Sequence, residues 1–211
     1  MTTPTAGSSS IFTLGVQDEG PEFPAVFFLD SVLFRRSQSR LPEVGFSLQP
    51  VVLDFLGNVF TEQAFLSNYF EFIHPWMSFL SRKHLMERVL NPLASGGPEN
   101  TLLIAAMKLV ATPPNSNVRS DIYAAIKSDL FRAIASGIFE LRIFQAILLL
   151  ALYEMGHAIH PATFMTIGIC HRYGNALGLN LSLNSNARET LDDIESEEKR
   201  RSWWAALFLD R

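Results

Sequence analysis

The sequence predicts an all-α fold, an irregular multi-helix bundle of about seven or eight helices. Three observations lead there. From about residue 50 onward apolar residues recur three and four positions apart, the period of a one-sided helix. Serine or aspartate stands before these runs and glycine or proline after them, as helix ends require. No stretch alternates apolar and polar residues between two-residue glycine or asparagine turns, so little reads as strand. With 211 residues, 48% hydrophobic and 18% charged, the chain can bury one substantial core.

The elements follow in order. Residues 1–22, rich in Thr, Ser, Gly and Pro near their start, read as a disordered tail. Residues 23–49 open with the apolar segment "FPAVFFLDSVLF" and continue as a linker, expected to pack onto the main body formed by residues 50–211. Leu66, Phe70 and Ile73 share a helix face that Phe65, Tyr69 and Phe72 widen, and Pro75 ends that helix. Ser81 can cap "RKHLMERVL", where Leu85, Met86, Val89 and Leu90 form the next stripe.

"TLLIAAMKLVA" stops at Pro113 and Pro114. "SDIYAAIKSDLFRAIASG" turns Ile122, Ile126, Ala133 and Ile134 to one side and finishes at Gly137, a good left-handed terminator. "LRIFQAILLLALYEMG" is nearly apolar, and its run of about a dozen uncharged residues is short of the roughly 20 that span a bilayer. It is a core helix. His160-Pro161 starts the next helix, which ends at Gly178. In the last helix Asp192, Asp193, Glu195, Glu197 and Glu198 favour the start, with Glu195–Lys199 and Glu197–Arg201 as i,i+4 pairs in the favoured order. Trp203, Trp204, Leu207 and Phe208 then read as one wide apolar face that must lie against other helices.

Charge and cysteine content exclude several functions. Lys and Arg total 17 against 21 Asp and Glu, a net charge of -4, so there is no broad basic face to neutralise phosphates. The single cysteine, Cys170, leaves no disulfide framework and no multi-cysteine zinc site, which fits a reducing compartment. Met1 to Ser10 has neither the basic start nor the apolar stretch of a secretory signal.

The residues capable of chemistry do not converge. His157, His160, Cys170 and His171 come nearest to a metal set, but Cys170 and His171 are helix neighbours about 100° apart. Cys170 on a helix reads as a buried, inert thiol. "SGGP" at residues 95–98 is too short for a phosphate loop. No metal ligands, catalytic residues or cofactor are therefore expected in this chain. Gln145 and Arg172 are expected to be buried polar groups, which need partners and more often find them inside the protein than in a ligand.

Taken together, "FPAVFFLDSVLFRR", "YFEFIHPWMSFLSRKHLMERVLNPL", "LLIAAMKLVA", "FQAILLLALYEMGHAIHPATFMTIGICHRYGNALGLN" and "EEKRRSWWAALFLDR" resemble, in order, the fungal-specific transcription factor domain. This is the regulatory middle region of fungal binuclear zinc cluster regulators. The family pattern falls on His74, Pro75, Gln145, Tyr153, Arg172, Leu177 to Leu179 with Gly178, Arg200, Arg201, Trp203, Trp204, Asp210 and Arg211, mainly as fold-defining positions.

The resemblance implies a nuclear regulator of RNA polymerase II transcription whose DNA is read by a six-cysteine zinc cluster. That cluster, and its zinc, are missing here. The implied partners are other transcription regulators, a second copy held through helical surfaces, or a small-molecule effector, with no membrane contact. A free-standing helical module that modulates a partner regulator is the alternative. Members of the family continue past the "LDR" position, so the chain reads as a shortened member, marginally stable and prone to self-association.

Overall fold

The computed structural model describes residues 45–57, 64–89, 97–113, 117–180 and 193–211. The tail and the apolar segment at 23–34 lie outside them. Among the described residues there are eight α-helical segments and no strand, which agrees with the all-α expectation. They are α1 (Pro50–Leu56), α2 (Ala64–Asn68), α3 (Arg82–His84), α4 (Pro98–Ala111), α5 (Asp121–Ala135), α6 (Leu141–Gly156), α7 (Ala162–Leu177) and α8 (Asp193–Leu209).

Helix α6 is the axis of the bundle. Every residue from Ile143 to Glu154 is buried, the signature of a helix surrounded on all sides by protein. Helix α4 packs along it most extensively, α7 next, and α8 and α5 also touch it. Leu102, Leu103, Ala105, Ala106 and Met107 of α4 are buried against this axis. In α5, Ile126 and Ala133 are buried and Ile122 and Ile134 pack partly buried beside them. No helix among the described residues is long and apolar enough to cross a membrane.

The ends obey the capping rules. Ser81 and Ser120 each accept a hydrogen bond from the backbone N–H three residues on, at His84 and Tyr123. Gly178 follows α7 at φ 75° and Gly137 follows α5 at φ 77°, left-handed positions that suit glycine. Pro161 stands at the N-cap of α7 rather than inside its first turn.

Two helices continue in a wider winding. Helix α2 runs into a π-helical turn, Tyr69–Ile73, and α3 into another, Leu85–Val89. The extra residue per turn shifts the apolar face. Phe65, Leu66 and Tyr69 remain buried, while Phe70 and Ile73 are partly covered. Phe72, expected to widen the inward face, is instead 66% exposed, and Met86 is 40% exposed. The remaining side chains of the Leu85 stripe lie outside those described.

Buried polar networks fix the helices relative to one another. The Asp129 carboxylate accepts from the Gln49 backbone N–H at 2.9 Å and from its side-chain amide at 3.0 Å. Arg132 pairs with the same group at 2.7 Å, so the segment entering α1 is tied to α5. Glu154, fully buried in α6, accepts from the Tyr123 hydroxyl at 2.7 Å and pairs with Lys127 at 2.6 Å. Lys127 also reaches Thr166 of α7 at 3.3 Å. Burial and this carboxylate raise the Tyr123 phenol well above its usual range, so Tyr123 stays a donor.

Candidate functional site

Helix α8 carries two stripes, and the second one forms the site. Glu198, Ser202, Ala205, Ala206 and Leu209 point inward along one face, with Trp203 beside them. Ile194, Glu197, Arg201, Trp204 and Phe208, spaced three and four apart, form the other stripe. This second stripe lines a groove whose opposite wall is the extended segment after the first π turn. One end is a cavity of about 520 Å³ with His74, Ser78 and Arg82 on that wall. The other is an aromatic cleft of about 360 Å³ bounded by Trp76, Trp204 and Phe208. Ser78 and Arg201 belong to both.

A buried charged cluster holds the two walls in place. Glu198 Oε1 accepts from the Ser81 backbone N–H at 2.7 Å. Its Oε2 lies 3.1 Å from Arg142 Nη2 and 3.0 Å from His84 Nδ1. Arg142 donates to the Gln145 side-chain oxygen at 2.7 Å, and the Gln145 amide donates to Ser202 at 3.2 Å. Glu198 and Ser202 sit on α8, Arg142 and Gln145 on α6, and His84 on α3, so one network joins three elements. Met77, Phe79 and Leu80 anchor the opposite wall in the core.

The rim is charged and its charges are unevenly matched. Glu197 accepts twice from Arg200, at 2.8 and 2.7 Å, and once from Arg201, at 2.6 Å. These bonds hold its carboxyl below the usual carboxylate range, Arg201 contributing most. The Arg82 guanidinium lies over the Phe70 ring at 5.2 Å and makes no hydrogen bond or ion pair among the described residues. Burial, with the charges of Arg201 and Arg82, lowers the His74 imidazole below its ordinary 6.5. His74 Nδ1 has no partner among the described residues.

The positions singled out in the sequence separate into three groups. His74, Arg201 and Trp204 line the groove, with Arg200 paired beside it and Pro75 exposed in the turn. Gln145, Tyr153, Gly178 and Trp203 are internal: the Tyr153 hydroxyl donates to the Val118 carbonyl at 2.8 Å, and Trp203 is 6% exposed. Asp210 and Arg211 are exposed at the end of α8, Asp210 lying 3.8 Å from His171.

Two expectations are corrected. Arg172 is exposed rather than buried, because its neighbours Tyr173 and Cys170 take the inward positions of α7. Trp203 and Trp204 do not share a face. Adjacent helix positions diverge by about 100°, so Trp204 and Phe208 stand 53% and 67% exposed while Trp203 packs inside. The Glu195–Lys199 and Glu197–Arg201 pairs form as expected, at 2.9 and 2.6 Å.

The candidate metal set is dispersed over separate local roles. His157 Nδ1 contacts the Tyr153 carbonyl at 2.7 Å, and His171 Nε2 contacts the Ala206 carbonyl at 3.0 Å. The His160 carbonyl accepts from Arg119. Cys170 is 1% exposed, and burial pushes its thiol far up. Among the described residues no three His, Cys, Asp or Glu side chains converge on a metal position. Sequence reasoning missed Arg142, His84 and Arg82. Arg142, the second residue of an otherwise apolar helix start, was the available signal for the first.

Comparison with known proteins places this arrangement. Residues 66–211 match the fungal specific transcription factor domain, and the chain belongs to that family. It is similar to transcription factor BOA15 of Botryotinia fuckeliana, 33% identical over 181 residues, covering 83% of this chain and 98% of that protein. It is also similar to transcription factor tazR of Aspergillus terreus, 25% identical over 150 residues, covering 68% of this chain and 24% of that protein. The chain thus spans about a quarter of tazR and nearly all of BOA15. No solved structure matches.

Proposed function

We propose that this chain is the regulatory and interaction region of a fungal zinc-cluster-type regulator of RNA polymerase II transcription, acting in the nucleus. It neither catalyses a reaction nor carries a cofactor, and bases are read by a zinc cluster outside these 211 residues. The supporting observation is the family match over residues 66–211. The net charge of -4 supports it too, since tight phosphate binding draws on a broad excess of cationic side chains. The test is DNA binding by the chain alone across a salt series. The reading expects only weak, sequence-indifferent complexes that vanish near physiological salt. A sequence-specific complex persisting there would overturn it.

A second reading has its own support in the aromatic cleft between Trp76 and α8. A helical module that docks on a partner regulator, or on a second copy, would cover Trp204 and Phe208, which are more exposed than large aromatics usually are. Co-purification with a family member that carries a zinc cluster, lost in Trp204→Ala with Phe208→Ala, favours the module. Undiminished co-purification in that variant excludes the cleft as its docking face.

A further inference from the structure

The 520 Å³ cavity falls in the size range of small-molecule sites and has an uneven charge pattern. Two guanidinium groups, Arg82 and Arg201, meet there with one carboxylate, Glu197. Glu197 is already gripped in a two-point contact by Arg200, so Arg201 shares an acid that another cation also neutralises. Among the described residues Arg201 otherwise reaches only the Ser78 carbonyl, at a long 3.4 Å. Arg82 has no acid at all among the described residues and rests on the Phe70 ring. His74 adds little positive charge near neutral pH, because burial and the two arginines disfavour its protonated form. The surplus is therefore between one and two positive charges, in a hollow that shares Ser78 and Arg201 with the neighbouring aromatic cleft.

We propose that this cavity binds a small organic monoanion of the carboxylate type with an apolar body. The acid head sits between Arg82 and Arg201, and the body lies along Trp76, Trp204 and Phe208. Guanidinium groups favour this head because their planar N–H forks match a carboxylate in two-point contacts. The adjoining cleft favours an amphipathic body over a bare inorganic ion, since its walls are aromatic. A ligand seated this way touches both walls of the groove, the segment 74–82 and α8, and so holds their spacing. The site stands independently of the transcriptional reading, because binding is measured on the isolated chain.

The experiment is calorimetry, with tryptophan fluorescence in parallel, using acetate, butyrate, 4-phenylbutyrate and the neutral 4-phenylbutanamide. The expected result is one-to-one binding that tightens from acetate to 4-phenylbutyrate, with the amide at least about tenfold weaker. Arg82→Gln should weaken 4-phenylbutyrate by about tenfold while leaving the melting temperature of the free protein in place, because Arg82 is exposed and makes no ion pair. Trp204→Ala should weaken 4-phenylbutyrate but not butyrate. Added salt should weaken the acid and not the amide. Equal binding of acid and amide, an unchanged affinity in Arg82→Gln, or no binding by any of the acids up to about 10 mM would overturn the proposal. An acidic amphipathic peptide that binds through Arg82 where the free acids do not would also overturn it, and would assign the groove to a protein partner.

Discussion

Arg142 Nη2 lies 3.1 Å from Glu198 Oε2, with the two side chains 12% and 3% exposed, and this pair joins the first turn of α6 to α8. A charge pair taken out of water is stable only when its remaining donors and acceptors are also answered. Here Ser81, His84 and Gln145 answer them. The pair therefore sets where α8 lies, and with it the groove.

Glu198→Ala should destabilise the fold by about 3–5 kcal/mol, because Arg142 is left as a buried charge without its acid. Urea denaturation of the variant and the parent measures this. A loss under about 1 kcal/mol would mean that Arg142 finds water or another acid instead.

The adjacent tryptophans should behave oppositely. Trp203→Ala removes a ring at 6% exposure and should lose about 3–5 kcal/mol. Trp204→Ala removes one at 53% exposure and should change stability by no more than about 0.5 kcal/mol. Paired thermal melts check both.

Two glycines of α7 give a steric contrast. A Cβ at Gly174 would stand 2.8 Å from ring carbons of both Phe144 and Trp203, whereas one at Gly168 would meet nothing within 4 Å. Gly174→Ala should therefore destabilise by about 1–3 kcal/mol through overpacking. Gly168→Ala should be neutral or stabilising by up to about 1 kcal/mol, since alanine is the better helix former. Equal effects would mean that α7 does not pack as described.

His74 makes stability depend on pH. Its folded value lies below 6.5, through burial first and then Arg201 and Arg82. The unfolded chain thus takes up a proton first as pH falls below 6.5, and stability declines until the folded imidazole also protonates. His74→Gln should remove this part of the pH dependence while leaving stability above pH 7 little changed. Denaturant midpoints of the two proteins from pH 7.5 to 5 decide it, and parallel curves would contradict the assignment.

Much of the architecture was legible because it depends on local chemistry. Ser81 as a cap, Gly137 and Gly178 as terminators and the apolar run of α6 all rest on residues within a turn or two of one another. What was not legible depends on packing between elements. The π turn at Tyr69–Ile73 rotated Phe72 outward, and nothing in "YFEFI" separates that winding from an ordinary helix. The division of labour between Trp203 and Trp204 is set by which side of α8 meets α6 and α7. Arg142 stayed hidden because its partners, Glu198 and His84, are 56 and 58 positions away, and only the fold brings them together. The groove was half legible: His74, Arg201 and Trp204 came from the family pattern, while Arg82 did not.

The most direct test of the central claim is reporter transcription in a fungal nucleus with this chain fused to an unrelated DNA-binding module. A regulatory region without its own base reader predicts a reproducible change in output, in either direction, only when the chain is tethered to the reporter's sites. Output that is unchanged by tethering, or the same response from the untethered chain, would contradict it.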